Sequence, residues 1–200
     1  MLRRTILGLT LASGALATSG LAASAQGLFG TDERFTMGQP SGGLFGMSSS
    51  ASPVPREVVM LSPRQSMAAG TIVISTSQRR LYYMLGNGQA IRYGIGVGRD
   101  GFTWRGVKTV SAKKEWPDWT PPAQMLRRRP DLPRFMKGGP DNPLGARAMY
   151  LGSTLYRIHG SNEPETIGTA VSSGCFRLTN EDVIDLYNRV RVGAKVIVIR

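Results

Sequence analysis

The chain holds one histidine, His159, and one cysteine, Cys175. A thiol is a strong nucleophile only as its thiolate, and at a pKa of about 8.5 an unperturbed cysteine is mostly protonated at neutral pH. A histidine in hydrogen-bond reach takes that proton and later returns it to a leaving amine. With one residue of each type, the assignment of nucleophile and base is unambiguous if the two meet. The plainer readings are a buried, inert thiol and a structural histidine at a strand end.

The flanking residues favour chemistry. His159 ends an apolar run and is followed by Gly160, where the chain can turn. A free Gly160 carbonyl would hold one imidazole nitrogen, fix the tautomer and aim the other nitrogen at sulfur. Cys175 follows Ser172-Ser173-Gly174. Small residues there let the backbone N–H groups of Ser173, Gly174 and Cys175 face outward as an oxyanion hole. Thr179-Asn180-Glu181-Asp182 then opens a capped helix, whose N-terminal dipole would favour a thiolate. Arg177, two residues after Cys175, would share its face in a strand. It would either bind a substrate carboxylate or form an ion pair with Asp182 or Glu181.

Other chemistries fit less well. Zinc needs three or four ligands, which one His and one Cys do not supply, so no metal is expected. Gly94-x-Gly96-x-Gly98 lacks the strand-to-helix context of a nucleotide site and reads as a bulged strand. Trp116 and Trp119 would stack on sugar rings or anchor a loop. The Arg127–Arg129 run reads as a solvated face.

These groups need a frame, and the sequence describes a mainly β one. Thr71–Ser75 and Leu81–Met84 are strand-like, and Gly86-Asn87-Gly88 signals a hairpin. Ile91, Tyr93, Ile95 and Val97 alternate onto one face. Val107–Ala112, Ala148–Leu151, Leu155–His159 and Lys195–Ile199 supply further strands. Val183, Leu186, Tyr187 and Val190 mark one helix in the C-terminal region. Between these lies an irregular stretch from Glu115, broken by Pro117, Pro121 and Pro122 and continuing through Gly138-Gly139-Pro140. A loop of this length in a compact domain usually serves as a lid or binding wall.

The N-terminal region reads differently. Arg3 and Arg4, the apolar stretch Ile6–Leu21 and Ala23-Ser24-Ala25 have the three parts of a secretory signal peptide, residues 1–25. Residues 26–57, rich in Gly, Ser and Pro, read as a flexible linker to a domain at 58–200. No later stretch is apolar enough to span a membrane after cleavage. The full chain has a formal charge of +12, and loss of Arg3 and Arg4 leaves +10. That suits a polyanion. Export, to the periplasm or cell wall, argues against a nuclear or cytosolic nucleic-acid partner and leaves an anionic membrane surface or an acidic wall polymer.

Two stretches, Tyr156-Arg157-Ile158-His159-Gly160 and Ser172-Ser173-Gly174-Cys175-Phe176-Arg177-Leu178, resemble the L,D-transpeptidase catalytic domain of YkuD type. So do Trp116-Pro117-x-Trp119-x-Pro121-Pro122, Asn142-Pro143-Leu144-Gly145-x-Arg147-Ala148, and Asp182-Val183 with Val192-Gly193. The resemblance covers roughly residues 70–200. Many members carry a second histidine where this chain has Ser173, which leaves Ser173 a backbone role. The resemblance implies a sandwich-like β domain with a cleft under a lid, acting on peptidoglycan stem peptides without a cofactor. Cys175 would attack the carbonyl of the third stem residue and expel D-Ala, with His159 as base and then acid. A second stem, or in some members an envelope protein, would take the acyl group. Water as acceptor would make the same site an L,D-carboxypeptidase. A non-catalytic, basic wall-binding module is the reading from another class.

Overall fold

The computed structural model describes residues 52–200; the expected signal sequence and most of the expected linker lie outside them. Its backbone is a nine-stranded sheet with a two-stranded one beside it. The centre of the large sheet is built from β2 (Ile72–Ser75) and β11 (Lys195–Ile199), paired in parallel. Ile72, Val73 and Ile74 are all fully buried. An unbroken β-branched run fits a strand covered on both faces, where alternation would place a polar residue inside.

Strands β3 (Arg80–Gly86) and β4 (Gln89–Gly94) form the expected hairpin. Asn87 and Gly88 take φ of 51° and 72°, the left-handed pair a tight hairpin needs. An edge strand, β1 (Glu57–Met60), pairs with β4. The end of the segment read as linker is held against the domain. Val54 packs over Gly94, and Arg56 reaches Asp182 and Asp185 at 3.3 and 3.6 Å.

After the short β5 (Val97–Gly98) comes β6 (Gly106–Glu115), which bends the sheet. Its first half pairs with β11 and its second with β7 (Arg147–Leu151), with a register slip between Val110 and Ala112. A bulge of this kind kinks a strand and raises its twist. The sheet curls there, so its two halves share one core. Ile72, Leu81 and Tyr93 from one half meet Met149, Ile158 and Phe176 from the other. The sandwich-like expectation is thus met by a single curled sheet.

The second half ends with β8 (Arg157–His159) and β10 (Phe176–Arg177), while β9 (Ala170–Ser172) pairs with β5. Helix α2 (Asn180–Arg189) packs on this half. Thr179 is its N-cap, accepting the Asp182 N–H at 3.2 Å, as the sequence pattern predicts. Val183 and Leu186 are fully buried and Val190 nearly so, each contributing about 1.5–3 kcal/mol of apolar burial.

The irregular segment between β6 and β7 contains one element the sequence reading did not include, helix α1 (Ala123–Arg128). The prolines that exclude regular structure before it also start it. Pro122 stands at its N-terminus, where a missing N–H costs nothing, and its carbonyl accepts from Met125 N–H.

Candidate active site

Strand β8 lies between β7 and β10 in the sheet. Ile158 is fully buried in the core, so Arg157 and His159 point to the opposite face. Phe176 plays the same part in β10, which turns Cys175 and Arg177 toward that face too. The parallel register sets Arg177 beside His159 and Phe176 beside Ile158. One step back, Cys175 stands beside Arg157 and diagonal to His159. Adjacent parallel strands thus gather the histidine, the cysteine and two arginines into one patch.

His159 is buried, at 4% exposure, and its Nδ1 lies 2.6 Å from the Gly160 carbonyl oxygen. A carbonyl only accepts, so the proton sits on Nδ1 and Nε2 keeps its lone pair. Gly160 itself is tightly enclosed. A Cβ there would lie 2.4 Å from Asn180 Oδ1, and that oxygen accepts the Ala146 N–H at 2.8 Å. Asn180 of α2 therefore ties the end of the lid segment to the histidine's turn.

The turn carrying Cys175 is stapled by Ser172. Its hydroxyl donates to the Cys175 carbonyl at 2.6 Å and accepts the Gly174 N–H at 3.2 Å. Of the three N–H groups expected in an oxyanion hole, Gly174's is thus already engaged. Those of Ser173 and Cys175 have no hydrogen-bond partner among the described residues. Trp104 holds the turn from the other side: its indole N–H donates to the Gly174 carbonyl at 2.9 Å, and its ring stacks on Tyr156 at 4.5 Å.

Burial governs the charges. It pushes the His159 pKa down from 6.5 to about 3, helped by the Arg177 charge and opposed by the Gly160 carbonyl. Burial also raises the Cys175 thiol above its ordinary value, against the pull of Arg157 and Arg177. The resting pair is therefore a neutral thiol and a neutral imidazole. The thiol donates weakly to the Leu155 carbonyl at 3.7 Å. Such a pair transfers its proton as the sulfur–carbon bond forms, because only then does a partner charge offset the cost of an imidazolium.

One consequence is a pH dependence of stability. Between pH 6.5 and about 3 the unfolded chain binds a proton on His159 that the folded chain does not. Folding stability therefore falls as pH drops through that window, by at most about 1.4 kcal/mol per pH unit for this residue. Urea unfolding across that range should show a shallower acid loss in His159→Gln than in the wild-type chain.

The sequence profile of the L,D-transpeptidase catalytic domain (YkuD) matches residues 69–198, which include every group in this patch. The chain belongs to the L,D-transpeptidase catalytic domain family. It is 41% identical to the probable L,D-transpeptidase ErfK/SrfK of Escherichia coli K12 over 137 residues, 64% of this chain and 43% of that protein. It is 36% identical to the probable L,D-transpeptidase YbiS of the same organism over 151 residues, 72% of this chain and 47% of that one. The chain thus spans less than half the length of these two relatives. The solved structure of L,D-transpeptidase 3 from Mycobacterium tuberculosis matches with a TM-score of 0.54 at 21% identity, over 72% of this chain and 69% of that chain. That likeness concerns the fold alone.

Within this L,D-transpeptidase domain, several residues sit differently from the sequence reading. Arg177 forms an ion pair, but with Glu163 at 2.9 Å rather than with Asp182 or Glu181. Those two acids face Arg56, from a segment whose composition predicts no contact. Trp116 is exposed and Trp119 is half-buried. Their backbones anchor the lid: Trp116 N–H donates to the Ala146 carbonyl, and Trp119 exchanges two bonds with Met136, all at 2.8 Å. No hydrogen bond or ring contact joins either indole to Cys175 or His159 among the described residues. The tryptophan at the nucleophile's turn is Trp104, and nothing in its own sequence neighbourhood marks it. Arg157 was legible in principle, since period-two alternation places it on the face of His159.

Proposed function

We propose that this protein is an exported cysteine L,D-transpeptidase acting on peptidoglycan stem peptides, with Cys175 as nucleophile and His159 as base. The observation that carries the reading is the imidazole held by Gly160 through Nδ1, in a strand paired with the one that directly follows Cys175. Family membership supports the reaction class.

The sulfur attacks the carbonyl of the third stem residue while its proton passes to His159 Nε2. The N–H groups of Ser173 and Cys175 stabilise the oxyanion. The tetrahedral adduct collapses as the carbon–nitrogen bond breaks and the imidazolium protonates the departing amine. D-Ala leaves and a thioester remains. An acceptor amine then attacks the thioester, His159 takes its proton, and Cys175 is released with that proton returned to sulfur. A second stem as acceptor gives a 3–3 cross-link, and an envelope protein gives an attached protein. Water gives a carboxypeptidase product. Arg177, half-open beside Glu163, remains a substrate-binding residue in this reading, and Trp116 and Trp119 would contact substrate through the lid.

The signal-like residues 1–25 and the basic balance support action in the periplasm or wall, and a role in wall biogenesis and cell shape follows. Among the described residues, no helix is long and apolar enough to cross a membrane. Incubating the protein with a tetrapeptide-stem muropeptide and analysing the products by mass spectrometry tests the reaction. A cross-linked dimer with D-Ala released is expected. D-Ala release without a dimer would assign the carboxypeptidase reaction instead, and an unchanged muropeptide would count against both.

A further inference from the structure

Arg157 is not needed for the proton transfers above, yet its position is unusual. It occupies the step of β8 directly across from Cys175, one residue back from the Ile158–Phe176 pair. Its Nη1 donates to the Leu155 carbonyl oxygen at 3.2 Å, the same oxygen that the Cys175 thiol approaches at 3.7 Å. The guanidinium and the sulfur therefore converge on one atom. From β7, Tyr150 is the register partner of Arg157, and the guanidinium carbon lies 5.3 Å from its ring centroid. Tyr150 and Leu155 together hold the guanidinium in place.

This cation has no acid to balance it. Arg177 has Glu163, Arg147 has Glu115, and Arg56 has Asp182 and Asp185. Arg157 pairs with no carboxylate among the described residues, and its Nε is buried without a hydrogen-bond partner. A half-exposed guanidinium beside a nucleophile, with no anion of its own, is open to an anionic ligand. A planar fork of donors suits a carboxylate in particular.

We propose that Arg157 is a specificity-determining residue that binds a substrate carboxylate lying within a few bonds of the carbonyl attacked by Cys175. Under the acyl-transfer reading, on which this choice of carboxylate rests, the anion is the terminal carboxylate of the departing D-amino acid. A donor extended by one more residue has a neutral amide in that place, so the site selects donors with a single residue after the scissile bond. The Arg177 cation, already matched by Glu163, contributes less.

Alkylation of Cys175 tests this without any wall substrate. Iodoacetate and iodoacetamide both form a sulfur–carbon bond and release iodide, the thiol proton passing to base. They differ in that only iodoacetate carries a carboxylate, bonded directly to the reacting carbon. In the wild-type protein the iodoacetate-to-iodoacetamide rate ratio should exceed that of a simple thiol by about tenfold, as expected for a charge-assisted hydrogen bond. Arg157→Gln should abolish this excess, Arg157→Lys should keep part of it, and Arg177→Gln should change it least. The iodoacetamide rate in each variant reports whether the thiol is intact. An unchanged ratio in Arg157→Gln, or equal slowing of both reagents, would overturn the proposal, the second outcome making Arg157 only a tuner of the thiol.

A donor tetrapeptide with a free terminal carboxylate, compared with its carboxamide, extends the test. The wild-type protein should show a KM about tenfold higher for the amide, and Arg157→Gln should show no difference. If the alkylation ratio responds as expected but neither peptide loses its last residue, the carboxylate site stands and the transpeptidase reading fails. If both peptides are cleaved equally well by the wild-type protein, the specificity role fails and the transpeptidase reading stands.

Discussion

Cys175→Ala is expected to reduce D-Ala release from a tetrapeptide stem to the uncatalysed background, a loss of about 10⁴-fold or more. No other cysteine is present to take over. Water acting directly on the peptide would lack the covalent step that divides the reaction into two lower barriers. The fold should be nearly unaffected. Cys175 is only half-buried, and its thiol makes weak polar contacts alone, to the Leu155 carbonyl at 3.7 Å and to Arg157. The substitution should therefore shift stability by less than about 1 kcal/mol. Rate measurement beside a thermal melt separates the two effects. A variant that melts like the wild type and still turns over would refute the nucleophile.

The second large effect is expected at Gly174. Its φ is +106°, a region that residues with a Cβ rarely adopt. An added Cβ would lie 2.7 Å from Tyr156 Cε1 and 3.1 Å from the Phe102 carbonyl oxygen. Tyr156 cannot easily retreat, because its ring is stacked on Trp104. Trp104 in turn holds the Gly174 carbonyl, so a shift of either ring moves the turn that carries the sulfur. A displacement of about 1 Å at a reacting group costs on the order of 100-fold in rate. Gly174→Ala should accordingly lower kcat/KM about 100-fold with the domain still folded. Ser173→Ala is the matching control. The role assigned to Ser173 is carried by its backbone N–H, so the rate should stay within a few-fold of wild type. A large loss in Ser173→Ala with little loss in Gly174→Ala would contradict this picture of the turn.

The contrast between those neighbours also shows what the sequence can and cannot convey. The hairpin at Asn87–Gly88, the capped helix after Thr179 and the histidine held by the next carbonyl are all local. Each is decided by residues within a few positions, so type and spacing carry the information. Period-two alternation likewise predicts which residues of β8 and β10 face the core. Trp104 is the opposite case. It acts on Gly174 across 70 positions. That contact exists only because β5 pairs with β9 and brings the loop after β5 against the nucleophile's turn. Arg177 was legible as a cation beside the thiol, but its acid was not. Several carboxylates lie within reach in sequence, and only the path of the chain after β8 selects Glu163. Helix α1 was missed for a different reason. Prolines exclude structure behind them but permit a helix ahead of them, and a single short turn leaves almost no apolar period to read.

The central claim is a covalent intermediate on Cys175, and intact-protein mass spectrometry of an acid-quenched mixture of full-length protein and tetrapeptide donor tests it most directly. The account predicts a mass gain equal to the donor less its terminal D-Ala, mapped by digestion to the peptide containing Cys175. D-Ala release that continues with no adduct on Cys175, and that persists in Cys175→Ala, would contradict it.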